Sequence, residues 1–113
     1  MAIDLNQLIT DIKTAVSDIL EKDISDMRGF SERQVRALAQ QTVLVETGIL
    51  NGDITEETRE FFLDSLEQMT LNFVRTLRGL LEITIEKIWN AVVGVLWSAV
   101  AASTGLVLPA PRP

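Results

Sequence analysis

Histidine, cysteine and tyrosine are all missing from this 113-residue chain. Without histidine the commonest general base and the commonest transition-metal ligand are gone. Without cysteine there is no disulfide framework and no thiolate metal site, and the redox compartment stays open. Carboxylates on helices suggest di-iron bundles, but those need Glu-x-x-His, so no metal centre is expected. No glycine-rich phosphate loop, P-loop or nucleophile elbow occurs. The chain therefore offers no catalytic, cofactor-binding or metal-binding residue to nominate. It reads as a non-enzymatic protein with no evident small-molecule substrate.

Proline is confined to the last five residues, as Pro109, Pro111 and Pro113. Nothing from Met1 to Leu108 forbids helix through proline. Aromatics are scarce, two Trp and four Phe, although 47% of the chain is hydrophobic. The apolar material is thus Leu, Ile, Val and Ala, which suits helix packing. The length fits one domain with a modest core.

Basic residues are also few. The formal net charge is −6, unevenly spread. Residues 1–67 carry 14 acids and 6 bases, whereas residues 68–113 carry 2 acids and 4 bases. An acidic chain with no basic stripe is a poor partner for nucleic acid. The start, MAIDLNQL, lacks the basic and apolar regions of a signal peptide, so none is expected.

What is present is helical periodicity. Leu5, Leu8, Ile9, Ile12, Val16, Ile19, Leu20, Ile24 and Met27 fall at three- and four-residue spacing. That pattern predicts an amphipathic helix over 5–27 with Asp4 as its N-cap. Ser31 followed by Gln34 is a capping box, with Phe30 and Val35 as a hydrophobic staple. A second helix then runs to about Leu50 and ends at the Asn51-Gly52-Asp53 turn. The flank after this turn does not alternate, so a helical hairpin is expected rather than a β-hairpin.

Asp53 or Thr55 caps a third helix, with Glu56, Glu57 and Glu60 at its positive end. Its stripe (Phe62, Leu66, Met69, Phe73, Leu77, Leu80) keeps its period past Gly79 into Ile88, Val92 and Val95. The third and fourth helices can therefore be one rod of about 50 residues, or can bend at Gly79.

Residues 88–108, IWNAVVGVLWSAVAASTGLVL, carry no charge. The run is long enough for a bilayer core of about 20 helical residues. Its hydropathy lies near the usual cutoff for a span. Trp89 would sit at the membrane interface, and Arg75, Arg78 and Lys87 would hold the N-terminal part cytoplasmic. Asn90, Gly94, Ser98 and Ala102 lie four apart on one face. Three of them are small, a pattern that lets helices approach closely, and Asn90 can fix register across an oligomer. A helix apolar all round is buried in lipid or in protein. With only two other helices to cover it, the run implies lipid or a homo-oligomer.

The sequence thus predicts an all-α fold of three to four helices. These are an amphipathic N-terminal helix, a helical hairpin and a long apolar C-terminal helix, in a helical bundle formed by oligomerisation. The expected divisions are an acidic helical part (1–81), the apolar helix (82–108) and a proline-rich tail (109–113). Partners are a second copy of the chain and membrane lipid. The leading expectation is a membrane-associated structural protein whose C-terminal helix inserts, as an anchor or a membrane-remodelling or permeabilising component. The alternative is a soluble cytoplasmic homo-oligomer, an assembly or scaffold module such as a virus-particle component. Among the carboxylates, Glu46 is expected either to pair with Arg75 or Arg78 or to be exposed, and Arg78, Glu82 and Lys87 to form surface pairs.

Overall fold

A computed structural model describes residues 2–111. Arg112 and Pro113, the end of the expected proline-rich tail, lie outside the described residues. All regular structure among the described residues is helical: α1 (Leu5–Leu20), a short 3-10 turn (Ile24–Asp26), α2 (Glu32–Leu50), α3 (Glu56–Thr76) and α4 (Glu82–Thr104).

Helix α1 starts where expected. The Asp4 carboxylate accepts from the Gln7 N–H at 3.1 Å. It ends seven residues before Met27. Glu21 turns left-handed (φ 57°) and its N–H returns to the Ser17 carbonyl. The Ser17 hydroxyl accepts from the Ile24 N–H at 2.9 Å. Asp23 accepts from the Ser25 N–H at 2.9 Å and from the Ser25 hydroxyl at 2.7 Å. These bonds, the backbone one first, hold the Asp23 carboxyl below the usual carboxylate range. The apolar period continues through Ile24 and Met27, but local capping stops the helix. Both residues are still buried, by a chain that folds back over the bundle end.

Half of the expected capping box forms at α2. Ser31 Oγ accepts from the Gln34 N–H at 3.2 Å. The Gln34 side-chain oxygen turns instead to α3, where it accepts from the Thr76 hydroxyl at 3.1 Å. The α2–α3 turn is a helical hairpin. Gly52 is left-handed (φ 85°), and the Ile54 N–H reaches back to the Gly48 carbonyl at 2.8 Å. Ile54 lies directly over Gly48, where a Cβ would come within 2.7 Å of its Cδ1. Gly48 thus admits the side chain that closes the hairpin. Thr55, not Asp53, caps α3, and its N–H donates to Thr58 Oγ1 at 3.0 Å.

Of the two arrangements the sequence left open, the continuous rod does not form and the chain breaks around Gly79. The backbone turns extended at Leu77 and left-handed at Gly79 (φ 79°), and α4 folds back beside α3. The Arg78 N–H donates to the Arg28 carbonyl at 2.9 Å, which ties this turn to the α1–α2 connection. Gly29 (φ 84°) packs so tightly there that a Cβ would overlap the Thr76 carbonyl oxygen. At the opposite end, Ile3, Glu46 and Ser103 meet. These end contacts make sequence-adjacent helices antiparallel, in up-down-up-down order.

Helix α4 packs against all three other helices, most extensively against α1. Ile12, Val16, Leu38, Leu66, Phe73, Ile88, Val92 and Leu96 belong to one core to which every helix contributes. Thr42 and Thr70 are buried with them, and their hydroxyls donate to the Leu38 and Leu66 carbonyls at 2.8 and 2.9 Å. A single chain therefore closes this bundle. The break at 77–81 separates α3 from α4, so three helices of the same chain cover α4 where the sequence offered two. The molecule measures 41 × 25 × 20 Å.

Candidate functional site

The uncharged run divides at Gly105, whose left-handed backbone (φ 75°) caps α4 by an N–H bond to the Ala101 carbonyl. Only residues 88–104 of the run are helical, 17 residues or about 26 Å at 1.5 Å per residue. Ile88, Trp89, Val92, Val93, Leu96, Trp97 and Val100 face the core. Trp89 is 3% exposed, inside the bundle. Asn90, Ser98 and Ala102 are exposed, in line with Glu82 and Glu86 on the solvent side of α4. Gly94 is half-buried on the same stripe, with open space where a Cβ would be. The four stripe residues thus share a face, as their spacing requires, and that face looks outward.

Glu46 is the residue whose surroundings the sequence did not reveal. It is 2% exposed, near the C-terminal end of α2. It pairs with neither Arg75 nor Arg78. Its Oε2 accepts from the Ile3 N–H at 2.7 Å and from the Ser103 hydroxyl. One carboxyl oxygen thus joins the start of α1, the end of α2 and the end of α4. An open cleft of about 260 Å³ adjoins this junction, with Ala99, Ala102 and Ser103 on one side and Ile3, Gln7 and Asp11 on the other. These two bonds clasp three chain segments together at this end of the bundle.

Among the described residues, no group of three or more acidic side chains is placed to hold a metal ion. Their one ion pair is Lys13–Glu32 at 2.9 Å; Arg78, Glu82 and Lys87 make no surface pairs. A second cleft, of about 350 Å³, lies where the tail (Val107–Pro111) returns along α3 beside Glu60, Asp64 and Glu67. Burial, then the charges of Asp64 and Glu60, push the Glu67 carboxyl above its usual range. A third, of about 400 Å³, runs between the end of α3 and the start of α4. Leu71, Ile85 and Trp89 line it, with Arg75 and Glu86 as charged lining residues. The Nε1 of Trp89 is itself buried, without an acceptor among the described residues. No protein-family model, no curated protein and no solved structure matches this chain.

Proposed function

We propose that this protein is a small, non-enzymatic helical-bundle module that self-associates in water and serves as a structural element of an assembly. The observation that carries this reading is the orientation of α4. Its large apolar residues from Ile88 to Val100 are covered by its own bundle, and its outer stripe is small or polar. Such a helix needs no lipid. Its uncharged helical part, about 26 Å, also falls short of a hydrocarbon core of about 30 Å. Support for self-association comes from apolar side chains left in water, Leu44, Phe61, Leu81 and Ile83 among them.

A membrane-inserting anchor is the second reading, with the N-terminal part on the cytoplasmic side. One observation favours it: α4, of 23 residues, is long and apolar enough to cross a bilayer. Insertion would require the bundle to open and to give up the core described above. Expression without detergent, followed by membrane fractionation and light scattering, separates the two readings. A soluble, discrete multimer supports the assembly module. Protein that pellets with membranes and resists carbonate extraction overturns it in favour of the anchor.

A further inference from the structure

We infer that the groove between the end of α3 and the start of α4 is where a second copy of this chain docks, about a two-fold axis. The inference rests on the self-association proposed above and assigns it a surface. Three unsatisfied features belong to residues at this groove. The apolar part of its lining is Leu71, Ile83, Ile85 and Trp89. Ile83 is 62% exposed, and the neighbouring Leu81 is 73% exposed. The Trp89 indole N–H is buried without an acceptor, an uncommon state for a buried donor. Helix α4 also begins here with Leu81 at its N-cap, which offers no side-chain cap.

Charge selects the occupant. Arg75 comes from α3, and Glu82 and Glu86 come from α4. None of the three is in an ion pair among the described residues. A two-fold interface brings one surface patch against itself, so a patch that carries both signs is self-complementary. Arg75 of one copy then meets the partner's Glu86, and the reverse contact forms by symmetry.

The test is sedimentation velocity across a concentration series, with the full chain and two exposed-charge variants, Arg75→Glu and Glu86→Arg. Melting curves for each confirm that the fold is kept. The wild type is expected to form a concentration-dependent dimer. Each single variant, which then presents like charges across the axis, should weaken it at least tenfold. Mixing the two single variants should restore association, because every crossed contact again joins opposite charges. A wild-type multimer indifferent to both variants overturns this docking surface and leaves the assembly reading in place. A wild-type monomer at every concentration overturns both.

Discussion

Truncation of Glu46 tests whether a single buried carboxyl holds one end of the bundle together. Glu46→Ala removes one buried methylene, worth about 0.8 kcal/mol. It also leaves two donors, the Ile3 N–H and the Ser103 hydroxyl, without their acceptor. Both belong to half-buried residues that water reaches in part. Each therefore costs about 1 kcal/mol, the low end of the range for an unsatisfied buried group. The total is about 3 kcal/mol. At about 4 °C per kcal/mol for a domain of this size, Tm should fall by roughly 12 °C. Glu46→Gln keeps an oxygen in place as acceptor for both donors, so its loss should stay within about 1 kcal/mol. Thermal unfolding by circular dichroism measures both variants. Hydrogen exchange at the Ile3 amide gives a local readout: protected in the wild type, unprotected in Glu46→Ala. A Glu46→Ala melt within about 2 °C of wild type, with Ile3 still protected, would refute the clasp.

Two further perturbations follow from the geometry. Gly29→Ala places a Cβ against the Thr76 carbonyl in a left-handed backbone. It should destabilise by about 2 kcal/mol or more, read from urea unfolding; a neutral result would mean the two connections are not packed as described. Glu67→Gln removes a carboxylate that is penalised by burial and by Asp64 and Glu60. A raised folded-state value means stability is lost as pH rises from the ordinary carboxyl value of 4.5 through the folded one. The variant should therefore be more stable than wild type at pH 7, by about 0.2–0.5 kcal/mol for relief of a like-charge helical neighbour. The gain should vanish below that window, and a gain that persists at pH 3 would contradict it.

Local signals were legible in the sequence and tertiary ones were not. Asp4 and Ser31 marked two helix starts, and Asp53 or Thr55 a third, because capping is a short-range affair between a side chain and the next turn. The Asn51-Gly52 turn was readable for the same reason. The end of α1 was not, and the break after α3 stood only as one of two alternatives at Gly79, because apolar periodicity runs through both. Ile24 and Met27 keep the spacing of α1, and Ile88 keeps that of α3, although each is buried from a new direction. What ends the helices is partly distant: the Arg78 N–H goes to the Arg28 carbonyl, 50 positions away along the chain. Glu46 was misjudged for a related reason. It was expected to meet an arginine or water, but its partners are a backbone N–H and a serine hydroxyl, 43 and 57 positions away. No spacing rule connects them.

In the proposed assembly module α4 is the core helix of a bundle in water, with Ser98 on its outer face. Ser98 stands at the middle of the uncharged run, so Ser98→Arg separates this account from insertion in lipid. An exposed bundle position should accept arginine within about 0.5 kcal/mol, whereas a mid-bilayer position would cost about 2.5–3.5 kcal/mol. The measurement is membrane fractionation of wild type and variant expressed side by side, with thermal unfolding of the soluble fraction. A bundle in water predicts that both proteins stay in the supernatant and melt within about 2 °C of each other. A wild type held in the membrane pellet, and released from it by Ser98→Arg, would contradict it.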